Sequence, residues 1–136
     1  MNKRVLLFSG FSGAIVVALG AMGAHFLKSK LETGLITEAN LITFDTAVKY
    51  QMYHTIVLLV IALCADRIRL ARTAAFCFGT GIVLFSGSLY LLATAGLLGL
   101  GSVSWLGPVT PFGGIFFMAG WVCLSISAVT FRKRKD

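Results

Sequence analysis

Charge is what this chain has least of. Of its 136 residues 12% are charged, and only five are acidic. None of those five falls within the long apolar runs, so no carboxylate pair is available for acid–base work in a span and the usual proton-coupling residue of small antiporters is missing. Proline occurs twice and histidine twice. The three cysteines, Cys64, Cys77 and Cys123, are dispersed in apolar surroundings without a C-x-x-C, which reads as small buried side chains rather than a disulfide framework or a metal knuckle. No H-E-x-x-H, Ser-x-x-Lys or phosphate loop occurs. The sequence therefore predicts neither an enzyme nor a cofactor or metal protein.

What remains is apolar. Hydrophobic residues make up 57% of the chain and mean hydropathy is +0.89, values outside the soluble globular range. Between Arg4 and Lys28 the one ionisable side chain is His25. Thr73–Ala95 and Phe112–Phe131 carry no charge, and Tyr50–Ala65 holds only His54. A hydrocarbon core of about 30 Å takes about 20 helical residues. The pattern predicts an all-α membrane protein: one domain, residues 1–136, in which a four-helix transmembrane bundle has helices at about 5–27, 41–65, 73–95 and 111–131. The start resembles a signal peptide, but its apolar run exceeds the usual core of about 7–15 residues, so it is read as a retained helix.

The formal charge of +7 is distributed as topology. Lys3 and Arg4 precede helix 1, Arg67, Arg69 and Arg72 separate helices 2 and 3, and Arg132, Lys133, Arg134 and Lys135 follow helix 4. By the positive-inside rule both termini are cytoplasmic. The expected partner is the lipid bilayer, with a homo-oligomer or a larger membrane complex left open, and nucleic acid is not expected.

Local signals refine the boundaries. Ser29-Lys30-Leu31-Glu32 has capping-box spacing and Gly34 follows as a stop, predicting a short amphipathic turn before helix 2. Thr37 is placed to cap helix 2, and Asp45 and Lys49 are a favourable i,i+4 pair. Pro111 suits a first helical position, and Trp105 an interfacial loop.

The polar residues suggest a site. Tyr50, Gln51 and His54 share a helical face at the entry to helix 2. Counted inward from Lys28 and Lys49, His25 and His54 lie within about 3 Å of one height. Ser86, Ser88 and Tyr90 fall in the outer part of helix 3. These seven are expected to turn toward one another beneath the outer rim, either as interhelical hydrogen-bonding glue or as a pocket for a small polar molecule, a lipid head group or an ion. The inner half is expected to be aliphatic filler. Gly13, Gly20, Gly23, Gly87, Gly113 and Gly114 are the expected points of close helix contact.

Gly20-Ala21-x-Gly23-Ala24-His25, Phe44-x-Thr46-Ala47-Val48-x-Tyr50-Gln51-x-x-His54, Phe85-Ser86-Gly87-Ser88-Leu89-Tyr90, and Thr110-Pro111-x-Gly113-Gly114 with Gly120-Trp121 together resemble the YgdD-like inner-membrane proteins, a family of unknown function. The resemblance spans nearly the whole chain. It implies a small four-helix bacterial inner-membrane protein with relatives in eukaryotic membranes, and it implies no reaction.

Overall fold

In a computed structural model, which describes residues 1–129, every regular element is helical among the described residues. Four helical segments are long and apolar enough to cross a membrane. We label them α1 (Lys3–Glu32), α2 (Glu38–Leu63), α3 (Ala71–Thr94) and α4 (Val109–Val129). The basic cluster Arg132–Lys135 lies outside the described residues.

The helix ends follow from local chemistry. The Asn2 side chain accepts from the Val5 N–H to start α1. α1 then runs through a wide π-helical turn at Gly23–Leu27 and on to Glu32. Ser29 makes no cap, because the chain before it is already helical, and the expected separate capping box there is corrected to a continuation of α1. Gly34 ends it at φ +73°. The Gly34 N–H bonds the Leu31 carbonyl and the Leu35 N–H the Lys30 carbonyl, the paired closure that a left-handed residue after a helix permits. The capping box belongs to α2, where Thr37 and Asn40 satisfy each other's backbone N–H groups. Asp45 and Lys49 pair at 2.6 Å. α4 begins two residues before Pro111, whose missing N–H still falls in the first turn, where no intrahelical partner exists.

The helices are not equally enclosed. α2 packs along α1 on one side and α3 on the other, and α4 packs along α3. α1 and α4 lie at opposite edges and do not form an extended interface with each other. α1 is the most peripheral span, with 17% of its apolar window buried against 39% for α2 and α3.

Two apolar clusters fill the interior. One, toward the end that carries the α2–α3 loop, gathers Leu58, Ile61, Ala74, Phe78, Ile82 and Phe117. The other gathers Leu27, Ile36, Phe44 and Ala93 at the opposite end. Between them lies a polar layer centred on Gln51, which is thirteen residues from Glu38 and twelve from Leu63. The layer therefore sits at the middle of α2, below the rim where the sequence suggests it.

Glycine placement sets how closely the backbones approach. A Cβ on Gly113 would stand 2.7 Å from the Phe85 Cα. One on Gly23 would press the Phe44 ring at 3.2 Å, whereas on Gly20 and Gly13 it would make ordinary contact, with Val48 at 3.5 Å and Thr55 at 3.8 Å. Gly114 makes only ordinary contact with Phe85 at 3.9 Å, and Gly87 faces open space, so its expected close-packing role is corrected. Gly81 and Gly120, which are not among the expected contact points, are tight against the Phe117 and Phe78 rings.

Candidate functional site

Gln51 is the hub of the polar layer. Its side chain is buried, and its amide Nε2 donates to the Ser12 carbonyl at 3.2 Å and to the Ser12 hydroxyl at 3.3 Å. Its Oε1 accepts from the Tyr90 hydroxyl at 2.8 Å. One amide thus links α1, α2 and α3. Ser12 also bonds Thr55 at 2.6 Å in a buried pair. Neither Ser12 nor Thr55 stands out in the sequence, where both read as ordinary members of apolar runs. Their signal is positional: Thr55 lies four residues after Gln51, so both meet the same turn of α1.

His54 is also buried, but it faces the other way. Its ring stacks on Phe117 with centroids 3.5 Å apart and planes 5° from parallel. Phe78 stands 5.5 Å away, and Trp121 meets it edge-on at 6.3 Å. Nδ1 lies 2.7 Å from the Tyr50 carbonyl. A carbonyl only accepts, so Nδ1 carries the proton and Nε2 holds the lone pair in the neutral ring. Tyr50 shares this aromatic cluster, stacked on Phe85 at 4.6 Å, and the residue is 40% exposed.

His25 does not join them. It is exposed on the wide turn of α1. The facing pairs Gly23–Phe44, Gly20–Val48 and Gly13–Thr55 set the register of α1 against α2. They place His25 about eleven residues above His54, roughly 16 Å along the helix rather than about 3 Å. Lys49 misleads as a depth marker because α2 continues well past it. The two imidazoles therefore cannot form one site, and among the described residues no group of three or more His, Cys, Asp or Glu side chains is arranged to hold a metal ion.

The serines of α3 divide between two neighbours. The Ser88 hydroxyl lies 2.9 Å from the Phe85 carbonyl and 2.7 Å from the Thr110 hydroxyl. It donates to the carbonyl, so Thr110 donates to it. Ser86, at the end of the π-helical turn Ile82–Ser86, is fully buried, and its Oγ has no hydrogen-bond partner among the described residues. Far from this layer, Ser127 accepts from the Leu70 N–H at 3.1 Å and donates to the Cys123 carbonyl at 2.8 Å. The opposite half is not pure aliphatic filler. Its hydroxyls are few, and those of Ser9 and Ser127 bond carbonyls of their own helices.

Of the seven expected cluster residues, Gln51 and Tyr90 bond each other, His54 and Tyr50 form an aromatic cluster with α3 and α4, and Ser88 joins α3 to α4. Ser86 is buried without a bond, and His25 stays outside. A groove of about 320 Å³ between the far halves of α1 and α2 is lined by Gly20, Gly23, Lys28, Phe44 and Asp45 among others, and by none of the seven.

Burial against Phe117 makes the imidazole a packing element. His54→Phe should stay within about 1 kcal/mol of the parent, because the stack survives and the Tyr50 carbonyl loses only a side-chain bond. His54→Ala should cost about 3 kcal/mol by opening a cavity. Unfolding midpoints in detergent would separate the two, and an equal loss for both would mean that the Nδ1 bond dominates.

Comparison with known proteins finds membrane proteins of unknown function. A family model described as protein of unknown function (DUF423) matches residues 19–114. The chain is 36% identical over 132 residues to the UPF0382 membrane protein YwdK of Bacillus subtilis, covering 95% of this chain and 98% of that protein. It is 36% identical over 139 residues to the UPF0382 inner membrane protein YgdD of Escherichia coli, covering 98% and 95%. A UPF0382 membrane protein of Haemophilus influenzae is 39% identical over 126 residues, covering 92% and 93%. No solved structure matches the chain.

Proposed function

Because the chain belongs to the DUF423 family, whose relatives named above are membrane proteins, we propose that it is a non-catalytic, four-pass accessory protein of the inner membrane. Its function is to present a rigid transmembrane surface to other membrane proteins or to further copies of itself. The observation that carries this reading is the closed state of the Gln51 hub. Its amide and carbonyl are both used between helices, which suits a fixed core better than a site that exchanges a polar guest. Both termini are cytoplasmic on this reading. Lys3 and Arg4 stand on the same side as Arg67, Arg69 and Arg72, since the Asn2 N–H bonds the Ala62 carbonyl at the end of α2 at 2.8 Å, and basic loops stay inside. The Lys28–Glu32 end of α1 is then the amphipathic segment at the outer surface.

The exposed apolar faces of α1 and α4 give such a surface its chemistry, with Leu7, Phe11 and Val17 on one and Phe112, Met118 and Val122 on the other each more than half exposed. Crosslinking in membranes followed by mild-detergent purification should recover the chain in a defined oligomer or a stoichiometric complex. A lone monomer with no co-purifying protein would refute the accessory reading.

Binding of a small polar guest has one observation in its favour, the orphaned Ser86 hydroxyl. Ser86→Ala separates the readings: a structural orphan is stabilised or unaffected by its removal, whereas a guest-binding hydroxyl loses a ligand-induced thermal shift.

A further inference from the structure

Beyond the accessory role, the structure assigns a lipid site at the opposite end of the molecule from the glycine-rich His25 turn. A groove of about 1240 Å³ opens between α1 and α3, where these two helices part on either side of α2. Its walls are apolar and include Phe8, Ala75, Phe76, Gly79, Val83 and Leu84. At Gly79 a Cβ would make ordinary contact with the Phe8 ring at 3.8 Å, so a side chain larger than alanine there would occupy the passage. Lys3, Arg4 and Arg72 line the same groove at its mouth. Asp66 is there too, and it is ion-paired to the Met1 ammonium at 2.9 Å. That pair cancels itself, so the three basic side chains set the sign of the mouth. Each of the three is exposed, and none makes an ion pair among the described residues.

The dimensions match one leaflet. From Arg72 to Leu84 the groove follows α3 for about 18 Å, against about 15 Å for half of a hydrocarbon core. We propose that this groove binds an anionic glycerophospholipid, its phosphate on Lys3, Arg4 and Arg72 and one acyl chain against the Phe8–Val83 wall. Arginine suits a phosphate because its planar donors engage two oxygens at once. The wall behind the mouth carries no charge, and Thr80 is its one polar side chain against Phe8, Ala75, Phe76, Val83 and Leu84, so the phosphate belongs at the basic mouth and the lipid's orientation follows from the groove. A general attraction of basic loops to anionic membranes would not distinguish Arg4 and Arg72 from Arg67 and Arg69, which lie in the same region but do not line the groove. This contrast supplies the test.

The full chain, delipidated in detergent, would be titrated with phosphatidylglycerol or phosphatidylcholine of identical acyl chains and weighed as intact complexes. Phosphatidylglycerol should be retained in preference to phosphatidylcholine. Arg4→Gln/Arg72→Gln should weaken its retention by roughly tenfold or more, while Arg67→Gln/Arg69→Gln changes it by about twofold or less. Gly79→Leu should lower retention with every charge intact. Val83→Trp reads the same obstruction from a side chain that is already exposed, should the glycine variant fail to fold. Equal retention of both lipids, equal losses for the two arginine pairs, or unchanged binding in the obstructed groove would each overturn the assignment.

Discussion

Replacing Gly113 with leucine is expected to prevent stable folding, and Gly113→Ala alone to cost about 1–3 kcal/mol. The reason is what lies opposite. A Cβ at this position meets the backbone of Phe85, not the end of a side chain, with the Phe85 Cβ 2.8 Å away. A backbone cannot rotate out of the way. Relief would require α4 to move off α3, and that movement would break the Ser88–Thr110 bond at 2.7 Å and part the Phe117–His54 stack. In a bilayer helices gain little from hydrophobic burial, so a loss of close packing is not offset elsewhere. Gly120→Ala should be milder, since its Cβ meets the Phe78 ring at 2.8 Å and a ring can tilt. Gly87→Ala should be neutral or slightly stabilising, because nothing lies within 4 Å and alanine is the better helix former by about 1 kcal/mol. Denaturant titrations in mixed micelles would rank the three. A harmless Gly113→Leu, or a damaging Gly87→Ala, would show that α3 and α4 do not meet at Phe85.

The contrast between Gly113 and Gly87 shows what a single sequence reveals. Both are glycines in polar, small-residue motifs of apolar helices. Only the helix on the far side distinguishes them, and spacing along one chain does not contain that neighbour. The four spans were legible because lipid imposes a length and excludes charge, and the Thr37 cap because its partner Asn40 is three residues away. The Gln51–Tyr90 pairing was legible in kind, since buried polar side chains in lipid seek each other. Its depth was not. Lys49 is no membrane boundary, because it stands mid-helix beside Asp45 with its side chain 58% exposed. A helix interrupted by neither proline nor glycine gives no sign of how far it projects. For the same reason a count from Lys49 sets His25 level with His54, which the α1–α2 register does not. Ser12, an unremarkable serine beside Gly13, became central only when the α1–α2 register set it against Gln51.

Gln51→Leu is the second large effect, and its size depends on what it leaves behind. Leucine removes the donor to Ser12 and the acceptor for Tyr90 while roughly keeping volume. The Ser12 hydroxyl retains Thr55, so Tyr90 is the group left without its partner. An orphaned hydroxyl of this kind costs about 1–3 kcal/mol, whereas interhelical bonds in membrane proteins average about 0.6 kcal/mol and reach about 1.7. The expected loss is therefore about 2 kcal/mol for Gln51→Leu, and about 1 for Tyr90→Phe, where Gln51 keeps its Ser12 bonds. Combining them should not add the two costs. With the phenol gone, the leucine variant has no orphan at that point, and the double variant should be as stable as Gln51→Leu alone or more so. A thermodynamic cycle over the four proteins measures the coupling directly. Strictly additive losses would mean that Gln51 and Tyr90 stabilise the fold through separate partners. The polar layer would then be two local contacts and not one link across three helices.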